Sequence, residues 1–191
     1  MEIRRIAGAL GAEILGVDLS APLSAETVDA IRQAYLEHLV IFFRDQTLDA
    51  PAYLRFAHLM GTPVEYPFVK GIDGYPEIIE VLKLEHERTN FGGVWHSDTA
   101  YLDEPPKGSM LLARQIPPYG GDTLFANQYL AYESLSDGMK RMLDPLVAVN
   151  SSAKADVSRT REDRLRDSAR DDARAVYEVE HPVVRTHPET G

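Results

Sequence analysis

Six short apolar segments constrain the fold of this 191-residue chain more than any other feature. Each is rich in Val, Ile, Leu or aromatic residues and is bounded by Gly, Pro or Asp, which is the pattern of β-strands. None is long enough to cross a membrane. The predicted strands are Glu13–Asp18, Leu39–Phe43, Glu77–Leu82, Ser109–Arg114, Thr123–Ala126 and Val176–Glu180.

Two helices are predicted among the early strands. Ser24 is a suitable N-cap for a helix that carries Ile31 and Tyr35 at helical spacing, and a second apolar pattern covers Asp49–Met60. Strands and helices do not alternate strictly, and no glycine-rich phosphate loop joins a strand to a helix, so a doubly wound nucleotide-binding fold is disfavoured. The pattern favours a mixed α+β fold with a β-sandwich core and flanking helices.

Composition excludes several classes of protein. The formal net charge is −10, with 20 basic and 30 acidic residues, which argues against binding to nucleic-acid phosphates. The absence of Cys excludes disulfides and fits a reducing cytoplasm. Glycines and Glu13 interrupt any apolar leader at the N-terminus. We expect one cytoplasmic domain over residues 1–191, compatible with a homo-oligomer, with neither nucleic acid nor membrane as a partner.

His96 and Asp98 are the candidate metal ligands. Between Trp95 and Tyr101 the sequence predicts an extended strand, on which residues two apart point to the same side, about 6 to 7 Å apart at Cα. Two histidines and one carboxylate form the facial triad of non-haem Fe(II) oxygenases, which leaves three coordination positions open. His96 and Asp98 would supply two of these three ligands.

The His-x-acid pattern alone is weak evidence. With 6 His and 30 acidic residues, about one occurrence is expected by chance, and the chain has two. We interpret the second, His187–Glu189, as a turn in which the side chains need not converge. The alternative for His96 is a strand histidine that is simply hydrogen-bonded to a carboxylate.

Residues 151–180 contain 7 Lys or Arg and 8 Asp or Glu. Glu162 and Arg166 lie four residues apart and would support an exposed helix. A solvated insertion is the favoured interpretation, and a lid over the metal site is the alternative.

Five motifs in order resemble the taurine/2,4-dichlorophenoxyacetate dioxygenase family of Fe(II)- and 2-oxoglutarate-dependent oxygenases. They cover nearly the whole chain, and their joint occurrence is more specific than any single motif. The motifs are Gly11–Leu19, Val40–Gln46, Trp95–Asp98, Pro117–Phe125 and His181–Gly191.

The resemblance implies a double-stranded β-helix (jelly-roll, clavaminate synthase-like) core with flanking helices. It implies that His96 and Asp98 bind Fe(II), and that the Thr123 hydroxyl binds the far carboxylate of the cosubstrate 2-oxoglutarate. With O2, such an enzyme would hydroxylate a small, anionic organic substrate and release succinate and CO2. The carboxylate of Asp98 favours hydroxylation over halogenation, because Ala or Gly there would open a position for halide.

Substrate contacts are predicted near the metal motif. Taurine-cleaving members of the family have a histidine where this chain has Tyr66, so a sulfate ester or an aryloxy or carboxylic acid is favoured over taurine. The remaining candidates for substrate contact are Asn90, Thr99 and Tyr101.

The family's distal histidine ligand, and an arginine that pairs with 2-oxoglutarate, lie on closing C-terminal strands beyond the His181–Gly191 motif. We therefore expect neither residue, nor those strands, within residues 1–191. Two alternatives follow: a non-catalytic scaffold or pseudoenzyme, and a cupin-like metal protein that uses His96, Asp98 and either His181 or His187 without 2-oxoglutarate.

Overall fold

A computed structural model describes residues 1–86, 93–154 and 176–191. The chain divides into two compact units. Unit 1 comprises Met1–Met60, Met110–Leu146 and Val183–Gly191, and unit 2 comprises Gly61–Ser109 and Val147–Pro182. The expected single domain over residues 1–191 stays a prediction.

Unit 1 is built on a three-stranded sheet in the order β1 (Glu2–Arg5), β2 (Ala12–Leu15) and β3 (Ile41–Phe42). Strand β1 is antiparallel to β2, and β2 is parallel to β3. Its four helices are α1 (Ala25–His38), α2 (Ala50–Met60), α3 (Gln128–Glu133) and α4 (Asp137–Leu143).

The helix predictions for unit 1 are confirmed. The Ser24 side chain caps α1 by accepting from the Thr27 N–H, and α2 covers the predicted Asp49–Met60 within one residue. Ile31 of α1 is fully buried and shares a core with Phe56 of α2. The ring of Phe56 meets that of Phe43 edge to face, 5.7 Å between centroids.

Unit 2 contains an antiparallel pair, β4 (Val147–Ser151) and β5 (Glu178–Pro182), with a short 3₁₀ helix at Ser152–Lys154. Phe68 and Val69 are buried in its aromatic core. Phe68 contacts the rings of Tyr66 and Tyr177 at 5.7 and 5.6 Å between centroids.

Three strand predictions are wrong. Glu77–Leu82, Ser109–Arg114 and Thr123–Ala126 contain no strand residues, although the predictions near β2, β3 and β5 are confirmed. A strand requires a hydrogen-bonded neighbour, and in the described residues these apolar segments lie in no ladder. The predicted helix around Glu162 and Arg166 lies outside the described residues. Within the described ranges, no helix has the length and apolar character needed to span a bilayer.

Candidate metal site

The candidate ligands lie at the start of a turn in unit 2. Residues 98–101 form the turn, and the Leu102 N–H donates to the Thr99 carbonyl at 3.0 Å. The strand predicted here is therefore wrong. Thr99 has φ 46°, in the left-handed region that a β-branched residue rarely adopts. Such backbone strain persists only where neighbouring contacts hold it.

His96 and Asp98 nevertheless converge as predicted. The His96 Nε2 atom lies 3.1 Å from Asp98 Oδ1. The other ring nitrogen, Nδ1, lies 2.7 Å from the Val94 carbonyl oxygen, which can only accept a hydrogen bond. Nδ1 therefore donates to Val94, and in a singly protonated ring Nε2 presents its lone pair to a carboxylate oxygen. Two acceptors that face each other require a proton or a cation between them.

The distance between these two acceptors fits a shared metal ion. Two ligands that are each about 2.1 Å from one ion, at right angles, lie roughly 3 Å apart. A backbone carbonyl that fixes the histidine tautomer is also the usual support of a metal-binding imidazole. The side chains of His96 and Asp98 are 47% and 56% exposed, so an ion could enter from solvent.

Ser109 holds the second carboxylate oxygen. Its hydroxyl donates to Asp98 Oδ2 at 2.5 Å, across eleven residues of sequence. A short O–H···O⁻ bond of this kind is charge-assisted. The two oxygens of Asp98 therefore have different partners, since Oδ1 faces the histidine and Oδ2 accepts from the serine.

His181 and His187 have other partners. His181 Nε2 donates to the Leu102 carbonyl at 2.9 Å, so this nitrogen is used in holding the turn. His187 Nδ1 accepts from the backbone N–H groups of Glu189 and Thr190, which confirms the predicted turn. In the described part of the chain, no three His, Cys, Asp or Glu side chains surround a common metal position. This opposes the cupin-like alternative.

Two of the predicted substrate residues lie beside the metal pair. The hydroxyls of Tyr66 and Tyr101 share a hydrogen bond, and the Tyr101 and Phe68 rings are 5.7 Å apart. Burial raises the pKa of both phenols above the ordinary value, and the negative charge of Asp98 raises it further. Both phenols are therefore neutral at pH 7. The Thr99 hydroxyl is buried, and no described group accepts from it or donates to it.

The remaining candidates are less informative. Trp95 is 69% exposed, and Asn90 lies outside the described residues. Thr123 belongs to unit 1 and is exposed after Gly120 and Gly121, whose φ angles of 80° and 71° need glycine. The contact of Thr123 with 2-oxoglutarate stays a prediction.

Sequence reasoning missed Ser109 and the Val94 carbonyl. A loop serine eleven residues from its partner has no sequence signal, and a backbone carbonyl has none at all. His181 was considered as a ligand, whereas the structure places it on the Leu102 carbonyl.

A His–Asp pair that could share a metal ion agrees with comparisons to known proteins. The sequence profile of the family "Taurine catabolism dioxygenase TauD, TfdA family" matches residues 2–191. The chain belongs to this family, which confirms the resemblance found in its motifs.

Two curated relatives match the whole chain. The alpha-ketoglutarate-dependent sulfate ester dioxygenase of Pseudomonas putida is 39% identical over 198 residues, and the alkylsulfatase of Acinetobacter baylyi is 40% identical over 198 residues. The chain spans 64% and 61% of their respective lengths.

Solved structures of similar fold include a putative alpha-ketoglutarate-dependent taurine dioxygenase from Burkholderia xenovorans. Its TM-score is 0.76 at 30% identity, over 100% of this chain and 62% of that one. AAD-2 in complex with Mn(II) and N-oxalylglycine has a TM-score of 0.71 at 25% identity, over 99% of this chain and 66% of that one. The mixed α and β content is that of this class of dioxygenase.

Proposed function

We propose that this chain carries the Fe(II) site of a 2-oxoglutarate-dependent dioxygenase with a double-stranded β-helix core. The observation that carries the proposal is the His96–Asp98 pair, whose Nε2 and Oδ1 atoms lie 3.1 Å apart in a chain that belongs to the family. Because Nδ1 donates to the Val94 carbonyl, a singly protonated ring has no proton left for Asp98, and a shared metal ion fits that place.

In this proposal His96 Nε2 and Asp98 Oδ1 hold Fe(II), and the Thr123 hydroxyl binds the far carboxylate of 2-oxoglutarate. The chemistry that iron supplies when bound is the use of O2 and 2-oxoglutarate to hydroxylate a substrate carbon, with release of succinate and CO2. The protein contributes the tautomer of His96 through Val94 and the orientation of Asp98 through the turn.

The proposed substrate is a small sulfate ester. Two relatives that are about 40% identical are a sulfate ester dioxygenase and an alkylsulfatase. Tyr66 supports this choice, because it stands where taurine-cleaving members of the family have a histidine that helps to bind the sulfonate. We assign Tyr101 and the Thr99 hydroxyl to the same substrate pocket, with Thr99 as a further donor; Asn90, the remaining candidate, lies outside the described residues.

The test measures succinate formation with Fe(II) and 2-oxoglutarate by the longest natural protein that contains residues 1–191, with the P. putida relative as positive control. An alkyl sulfate should stimulate succinate release, taurine should stimulate it less, and His96→Ala should abolish the stimulation. If taurine gives the higher kcat/KM, the substrate assignment is wrong. Stimulation that survives in the His96→Ala variant would contradict the assigned site.

A second candidate function is a non-catalytic scaffold of the same family. The two candidates separate in one experiment, because a scaffold binds Fe(II) through His96 and Asp98 but releases no succinate with any substrate.

A further inference from the structure

Ser109 and Asp98 make a contact that the proposed function does not require by itself. The Ser109 hydroxyl donates to Asp98 Oδ2 at 2.5 Å, and both residues belong to unit 2. The remaining oxygen, Oδ1, is the one that faces His96 Nε2. The Ser109 hydroxyl is therefore bonded to the carboxylate oxygen of Asp98 that does not face His96.

A free carboxylate can bind a metal through one oxygen or through both. Binding through both uses two coordination positions, and rotation about the Cβ–Cγ bond exchanges the two oxygens. A charge-assisted bond to one oxygen opposes this rotation and competes with the metal for that oxygen. The position that a second oxygen would take then stays open for cosubstrate or O2.

The backbone of the turn is fixed by other contacts. His181 donates to the Leu102 carbonyl, and the Leu102 N–H donates to Thr99. Thr99 is held at φ 46° between them. With the backbone next to Asp98 held in this way, the two side-chain torsions of Asp98 are the main freedom that remains, and the Ser109 hydroxyl restrains them.

We propose that Ser109 is a positioning residue that keeps Asp98 a one-oxygen metal ligand. The inference rests on the proposed function, since it requires that His96 and Asp98 bind the ion. It adds a residue that touches neither metal nor substrate and acts through Asp98.

The first measurement is the affinity for Mn(II), titrated into the 191-residue chain and followed by electron paramagnetic resonance. Ser109→Ala should raise the Kd about tenfold, in line with the usual effect of removing a partner of a metal ligand. Ser109→Thr keeps the hydroxyl and should stay within about twofold of the unchanged chain.

Ser20→Ala is the matched control. Ser20 is also exposed and donates its hydroxyl to an aspartate, Asp18, at 2.6 Å. It lies in unit 1, so losing this bond should leave the Mn(II) Kd unchanged.

The second measurement is the metal-induced infrared difference spectrum, in which the separation of the two carboxylate stretching bands differs between one-oxygen and two-oxygen binding. The unchanged chain and Ser109→Thr should show the one-oxygen pattern. Ser109→Ala should show two-oxygen or mixed binding, which a general loss of stability would not produce.

The outcomes distinguish this inference from the proposed function. If Asp98→Ala and His96→Ala bind Mn(II) as well as the unchanged chain, the proposed metal site fails. If those two variants lose binding while Ser109→Ala keeps both the original Kd and the one-oxygen bands, the metal site stands and the role of Ser109 is overturned.

Discussion

Two carboxylates, Glu13 in unit 1 and Asp98 in unit 2, have opposite environments. The Glu13 side chain is 8% exposed and meets a guanidinium at each oxygen, from Arg4 and from Arg44. Asp98 is 56% exposed, and its oxygens meet the Ser109 hydroxyl and Nε2 of His96. The Glu13 carboxylate is paired with two guanidinium groups within the protein, whereas the described partners of Asp98 are a hydroxyl and an imidazole.

The difference follows from how each residue is placed. Arg4 lies directly opposite Glu13 in the β1–β2 register, and Arg44 follows β3 on the other side of β2. Burial of Glu13 requires this pairing, because an unpaired buried carboxylate is strongly disfavoured. Asp98 lies in an exposed turn, where water can solvate it until a metal ion binds. Glu13, whose charge is paired with two arginines, therefore stabilises the sheet. Asp98, which faces an imidazole nitrogen, is a candidate metal ligand.

The largest expected effect is on the free energy of unfolding, when a core side chain of unit 1 is truncated. Truncation of an exposed side chain in unit 2 provides the comparison. Ile31 is fully buried beside Leu19, Leu48 and Phe56. Ile31→Ala should lower the free energy of unfolding by about 2–5 kcal/mol, because a cavity is left in a packed core. Val64→Ala, at a side chain that is 58% exposed, should change it by less than about 0.5 kcal/mol. Urea denaturation measures both, and equal effects would show that the core assignment is wrong.

The sequence predicted those elements of the fold that depend on neighbouring residues along the chain. The Ser24 cap and the helical spacing of α1 and α2 gave these helices because each forms hydrogen bonds within its own segment. Leu111 and Leu124 lie in apolar segments predicted as strands, yet they are 80% and 72% exposed and are not in strands. Strand formation depends on a distant partner, which local composition does not reveal.

The proximity of the two candidate ligands was predictable from the sequence, whereas the hydrogen bonds that hold them were not. The spacing of His96 and Asp98 predicted their convergence, although a turn rather than a strand produces it. Ser109 and His181 act through tertiary hydrogen bonds that no spacing rule encodes.

The second prediction uses pH to separate the two carboxylates. Hydrogen bonds from Arg4 and Arg44 hold the pKa of Glu13 below its ordinary value. Its contribution to stability is therefore fully present above the unfolded-state pKa of about 4.3, and is lost as the pH falls through the lower folded-state pKa. Glu13→Gln should make the unfolding free energy less dependent on pH in this acidic range.

Glu104→Gln, at an exposed glutamate of unit 2, is the control for the pH experiment. It should keep the acid dependence of the unchanged chain, measured by denaturant unfolding at a series of pH values. If Glu13→Gln and Glu104→Gln give the same curve, the double arginine contact does not stabilise the sheet.

The smallest expected effect is the loss of stability when the hydrogen bond from His181 to the turn at residues 98–101 is removed. His181→Phe removes the donor to the Leu102 carbonyl and should cost about 1 kcal/mol of unfolding free energy, the usual net value of one hydrogen bond. His181→Gln offers an amide donor and should recover part of the loss. A loss of Mn(II) binding as complete as that of His96→Ala would instead indicate that His181 is a ligand.

The most direct test of the central claim is the ¹⁵N nuclear magnetic resonance spectrum of the histidine side chains, with Zn(II) as a diamagnetic probe. Before metal is added, His96 should carry its proton on Nδ1, as its contact with the Val94 carbonyl requires. Zn(II) should then shift the Nε2 signal of His96, and Asp98→Ala should abolish that shift. A metal-induced shift at Nδ1 of His96, or at another histidine with His96 unchanged, would contradict the account.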